Sequence, residues 1–75
     1  MTLESRMGTE LVFLVEEAPE GGFTARALGH AIFTEGDSPE QIEVNARDAV
    51  RCHFEEGDLP KVIRLHYVRD DVIAI

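Results

Sequence analysis

Acidic side chains are the most abundant candidates for chemistry in this chain, with fifteen Asp and Glu among 75 residues. Carboxylates that converge on one point can share acid and base roles or hold divalent metal ions. Glu16 and Glu17 are neighbours in a stretch of strand character, so they point to opposite faces and cannot form such a pair. Glu55, Glu56 and Asp58 crowd the C-terminal end of an expected helix, where the dipole disfavours negative charge. A solvated face explains that cluster better than catalysis does.

Nucleophiles and metal ligands are few. Cys52 is the only cysteine, which leaves no intrachain disulfide and no cysteine-based zinc site. Cys52 and His53 lie about 100° apart around a helix and do not face each other as nucleophile and base. His30 and His66 fall on expected strands and could approach each other across a sheet. For His53, on the apolar face of the helix, a hydrogen-bonded place in or beside the core is expected. Gly21, Gly22, Gly29 and Gly36 do not make a phosphate loop, because acids rather than a lysine stand at the following helix start. The residues thus point to no cofactor, no metal and no catalytic residue.

The elements that position these groups read as follows. TELVFLVEE, 9–17, is rich in β-branched and aromatic residues. Leu11, Phe13 and Val15 point one way, Val12, Leu14 and Glu16 the other, so both faces are apolar and an interior strand is predicted. Ala18-Pro19-Glu20-Gly21-Gly22 is a turn. FTARAL, 23–28, and HAIFTE, 30–35, joined through Gly29, complete an antiparallel meander. Ser38 fits a helix N-cap, Pro39 the first helical position, and Gln41 the third, giving a capping box. The helix is expected to run to about Glu56, where Gly57 and Pro60 end it. Ile42, Ala46, Ala49, Val50 and His53 form its inner stripe, with Phe54 at the margin, while Glu43, Arg47, Asp48 and Arg51 face outward. KVIRLHYV, 61–68, alternates as a further strand, Arg69-Asp70-Asp71 turns, and VIAI, 72–75, is a short apolar segment that needs a cover. The predicted fold class is α+β: a three-stranded antiparallel meander, one helix packed on the sheet, then one or two further strands.

Size and charge narrow the function. Seventy-five residues make a single domain, 1–75, with residues 1–8 a loose extension and Met7-Gly8 an alternative start. A chain this short buries only roughly 60% of its unfolded surface, so association into a homo-oligomer is expected. Deleting residues 72–75 would then weaken it. The net charge of −8 repels phosphate and argues against direct nucleic-acid binding, while its field attracts a basic protein. No apolar run has the length of a signal core or a membrane span, so a cytoplasmic, non-membrane protein is expected.

EEAPEGGFTARALGHAIFTEGDSPEQIEVNARDAVRCHFEEG, 16–57, resembles the HicB-like family of antitoxins. The resemblance rests on a first strand ending in acids, the GGF turn-to-strand step, the TEGDSPEQ helix start and the NARDAV helix with its aromatic ending. It implies a partially degraded ribonuclease-H-like fold and a non-catalytic role: binding and neutralising a small basic HicA-like mRNA interferase. Glu16, Glu17, Glu20, Glu35 and Asp37, at strand ends and turns, are the partner-binding candidates on that reading. Two features depart from the family. The DNA-binding segment that follows this domain in full antitoxins has no counterpart within the 75 residues, and Leu28-Gly29-His30 replaces a Pro-Gly-Cys type of turn. A ribonuclease-H site would need carboxylates converging on two metal ions, and the first strand is apolar until its end. The alternative function is a stand-alone oligomeric scaffold or regulatory protein without a toxin.

Overall fold

The computed structural model describes residues 10–75; the extension expected over 1–8 lies outside them. These residues form an α+β domain, a mixed four-stranded sheet carrying one helix. Strand β1, Glu10–Glu17, is central, with the alternation read from the sequence. Phe13 and Val15 are fully buried, and Val12 and Leu14 on the other face are half-buried. Strand β2, Phe23–Ala27, pairs antiparallel with β1 from Phe13↔Ala27 to Glu17↔Phe23, and β3, Phe33–Gly36, pairs antiparallel with β2. Helix α1, Pro39–His53, carries the chain back along the sheet to β4, Val62–Val68. That return makes β4 parallel to β1, and the sheet order is β3-β2-β1-β4. A parallel neighbour needs such a crossover, which no tight turn can supply.

The core lies between helix and sheet. Ile42, Ala46 and Val50 on α1 meet Leu11, Phe13, Val15, Ala25 and Ala27 on the strands, and Ile32 closes one side. Small Ala25 and Ala27 opposite the helix let it settle close to β2 and β3. Full burial of a side chain such as Phe13, Val15 or Ile42 contributes about 1.5–3 kcal/mol relative to exposure. The parallel pair β1–β4 is tied at its start by an ion pair between Arg64 Nε and the Glu10 carboxylate. Arg64 is largely exposed and Glu10 only half-buried, so the pair adds little stability.

Local chemistry explains where the elements start and stop. Ser38 accepts a hydrogen bond from the Gln41 amide at 3.1 Å, as an N-cap should. The reciprocal half of the capping box is absent. The Gln41 side chain instead donates to Asn45 Oδ1 at 2.9 Å, and Asn45 Nδ2 donates to the Glu35 carbonyl at 2.7 Å, stitching α1 to β3. The helix ends at His53 rather than Glu56. Phe54 turns extended there and packs its ring on His30, with centroids 5.0 Å apart. Gly57 falls in a separate 3-10 turn, Glu56–Asp58. The third strand begins at Phe33 rather than His30, because the β2–β3 connection closes with a hydrogen bond from the Ala27 amide to the Ile32 carbonyl at 2.9 Å. That bond consumes residues 28–31 as loop, with Gly29 at φ +88°. No strand forms over 72–75, so one further strand follows the helix rather than two.

The turn between β1 and β2 supplies a sharp test. Gly21 and Gly22 both have positive φ, yet a Cβ on Gly21 would meet nothing within 4 Å, whereas one on Gly22 would lie 2.9 Å from the Gly36 carbonyl oxygen. Gly22→Ala is therefore expected to destabilise the fold by about 2–3 kcal/mol, and Gly21→Ala by about 1 kcal/mol, in urea titrations. Equal costs for the two would contradict the close packing of this turn on the β3–α1 junction.

Candidate functional site

The five acidic candidates gather at one end of the sheet, where β1 and β3 finish and β2 begins. Register fixes their arrangement. Glu16 pairs with Thr24, and Thr24 with Glu35, so the two glutamates flank Thr24 on the face away from α1. Two strand spacings put them about 10 Å apart. Glu17 pairs with Phe23 and points to the helix side. Glu20 stands on the turn held by hydrogen bonds from the Ala18 amide to the Gly22 carbonyl and from the Gly21 amide to the Ala18 carbonyl. Asp37 follows β3 directly and lies against that turn, its Oδ1 3.5 Å from where a Gly22 Cβ would sit. All five are exposed.

The structure adds a member that sequence reasoning did not single out. Asp70, just beyond β4, joins Glu16, Glu17, Thr24 and Val68 around an open cleft of about 570 Å³. The parallel β1–β4 pairing, Glu16 opposite Val68, brings it there. Pairing order was not readable from strand character alone, so this contact had no signal in the sequence. The result is a concentration of negative charge at one pole. Its carboxylates splay over both faces and a turn, and among the described residues no three His, Cys, Asp or Glu side chains are placed to hold a metal ion. The arrangement is suited to presenting charge to a broad partner.

The histidines depart from expectation. His53 is exposed rather than seated in the core, and His30 is in the β2–β3 loop rather than on a strand. His30 does not approach His66. It packs instead edge-on against His53 and Phe54, at centroid distances of 5.8 and 5.0 Å, while His66 pairs with Leu14 on the open face of the sheet. The last turn of α1 lies against the β2–β3 loop, with Cys52 and His53 beside Ala31, Ile32 and Phe33, rather than over the sheet interior. Cys52 is likewise exposed.

A second feature escaped the sequence. Glu43, Arg47 and Arg51 face outward from the helix as the sequence predicts, but with Lys61 they rim an open groove of about 650 Å³ between α1 and β4. Its floor is Ala46, Val50, Leu59, Ile63 and Leu65. The available signal was the four-residue spacing of Arg47 and Arg51 beside the buried Ala46 and Val50. Among the described residues the opposite face of the sheet carries no helix, and Phe33 and Val62 stand 63% and 54% exposed there.

Tyr67 marks the junction between the acidic end and the groove. Its ring meets Phe23 edge-on at 6.0 Å above β1. Burial raises the phenol pKa above the ordinary tyrosine value, and the negative charges of Glu43 and Glu40 push it further the same way.

Comparison with known proteins gives two clear relatives. The chain is 56% identical over 52 residues to a UPF0150 protein of Archaeoglobus fulgidus, covering 69% of this chain and 77% of the relative. It is 39% identical over 66 residues to a UPF0150 protein of Thermotoga maritima, covering 88% of this chain and 93% of the relative. No family model matches the chain. No solved structure matches it either.

The single tyrosine makes the electrostatics of this junction measurable. The folded state holds the phenolic proton more tightly than the unfolded chain. The contribution of Tyr67 to stability is therefore intact below about pH 10 and is lost as pH rises through the raised folded-state pKa. Phenolate absorbance should titrate above the free-tyrosine midpoint in native protein, and Tyr67→Phe should flatten its part of the alkaline fall in stability. A native midpoint at or below that of free tyrosine would refute this placement.

Proposed function

The chain belongs to the UPF0150 family, and we propose, from its resemblance to HicB-like antitoxins and its acidic pole, that it is a non-catalytic HicB-like protein that binds and blocks a small basic HicA-like toxin. The observation that carries this reading is the acidic pole: Glu16, Glu17, Glu20, Glu35 and Asp37, joined by Asp70, on a chain of net charge −8. A one-signed surface steers an oppositely charged protein into encounter and repels bare RNA or DNA. The toxin's own basic, RNA-binding surface is the complement such a pole would cover. Splayed carboxylates support an occluding role over a hydrolytic one, because two-metal chemistry needs them to converge. The proposed site of action is the cytoplasm; no helix among the described residues is long and apolar enough to cross a membrane.

A second reading, a stand-alone oligomeric scaffold or regulatory protein, has its own support. Val72, Ile73 and Ile75 are almost wholly exposed, an arrangement that favours association with other copies.

The test is stoichiometric capture from native cytoplasm with tagged full-length protein, followed by titration of the recovered toxin. The combined change Glu16→Lys, Glu17→Lys and Glu35→Lys is expected to weaken binding at least about tenfold, mainly by slowing association. Asp48→Lys, on the outer face of α1, should leave it nearly unchanged. Failure to bind or neutralise any HicA-like toxin, including one encoded beside this gene, would defeat the proposal. Cleavage of RNA by the protein with Mg²⁺ or Mn²⁺ would defeat its non-catalytic part.

A further inference from the structure

The groove between α1 and β4 and the segment that follows β4 are complementary in chemistry. The groove has an apolar floor, Val50, Leu59, Ile63 and Leu65 among it, and its rim carries Arg47, Arg51 and Lys61 against one acid, Glu43. Those three are a large share of the seven basic residues in the chain. The segment 70–75 reads Asp-Asp-Val-Ile-Ala-Ile, two carboxylates followed by apolar side chains. Val72, Ile73 and Ile75 are 97%, 83% and 125% exposed, resting on nothing within the described fold. Each surface lacks what the other offers.

We propose that residues 70–75 of one copy dock in the α1–β4 groove of a second copy, and that a reciprocal exchange of these segments forms a two-fold dimer. Ile73 and Ile75, on one side of an extended segment, lie on the apolar floor. Asp70 and Asp71 meet the Arg47, Arg51 and Lys61 rim. Releasing Asp71 costs little, because its contact with Arg69, at 3.3 Å, is between two largely exposed groups. Reciprocity doubles the buried surface and closes the assembly, as an isologous interface requires.

Reach decides between a second copy and self-docking. The segment leaves β4 at Val68, whereas the groove floor extends back to Ile63, about 17 Å along the strand at roughly 3.3 Å per residue. Reversal through residues 69–71 leaves four residues, spanning about 13 Å. The segment reaches Leu65 but falls short of the far end of its own groove at Ile63, whereas a second molecule can lay it along the whole floor. The interface shares only Asp70 with the acidic pole, and the proposal does not rest on the toxin-binding reading.

Sedimentation of the full chain across a concentration series tests the exchange. Deleting 72–75, Arg47→Glu with Arg51→Glu, or Asp70→Lys with Asp71→Lys should each weaken dimerisation at least about tenfold. Combining the two charge reversals should restore most of it. These positions are exposed, and unchanged far-ultraviolet circular dichroism would verify folding. In a Cys52→Ser background, mixing a Lys61→Cys chain with an Ile73→Cys chain should give a disulfide-linked heterodimer on oxidation. A monomer at every concentration, an oligomer indifferent to the reversals, or an intrachain disulfide in a monomeric chain carrying both cysteines would each overturn the proposal.

Discussion

One helix cannot cover four strands, and most of this molecule's character follows from that mismatch of widths. A helix with its side chains is about 10 Å across, while four strands spaced about 4.8 Å apart make a broader floor. Helix α1 settles near β2 and β3, where Ala25 and Ala27 allow close approach, and the core is fully dry only beneath it. Toward β4 the cover runs out. Ile63 and Leu65 are only partly buried, although they pair with fully or nearly buried Phe13 and Leu11. The uncovered strip is the groove, and the face without a helix leaves Phe33 and Val62 in solvent. Among the described residues no second helix covers this strip, which is the physical basis for expecting surfaces that serve partners.

How much of this was readable in advance depended on whether the determining interaction was local. The alternation in β1, the Ser38 N-cap and the turn at Gly21-Gly22 are decided by residues within a few positions of each other, and all emerged from the sequence. The helix end did not. It is set by Phe54 packing on His30, residues on separate elements whose meeting depends on the tertiary placement of the β2–β3 loop. The third strand starts three residues later than its residue pattern suggests for a related reason: the loop closed by Ala27 and Ile32 owes its length to the burial of Ile32 in the core. Gln41 was assigned to the capping box by spacing, but Asn45 and the Glu35 carbonyl offered its side chain a better tertiary use.

The candidate site shows the same division. That Glu16, Glu17, Glu20, Glu35 and Asp37 occupy strand ends and turns was evident from the hydrophobic pattern, since acids are excluded from the strand interiors. That they share one pole follows from the meander, in which the end of β1, the start of β2 and the end of β3 coincide. The membership of Asp70 required knowing that β4 runs parallel beside β1. The basic rim required knowing that Lys61, remote in sequence from Arg47 and Arg51, faces them across a gap.

Charge is thereby distributed along the molecule rather than merely summed. The net value of −8 describes how the protein looks from beyond a Debye length, about 8 Å in physiological salt, but contacts form at shorter range. There the groove rim is locally positive while the strand-end pole is negative. On the proposed reading, a basic toxin and the Asp70–Asp71 segment of a second copy would be sorted by these separate fields. Asp70 belongs to both surfaces, lining the acidic cleft in a lone chain and leaving it when its segment docks elsewhere. Dimer exchange would thus remove one carboxylate from the pole while Glu16, Glu17 and Glu35 remain, so the two associations would be weakly opposed rather than mutually exclusive.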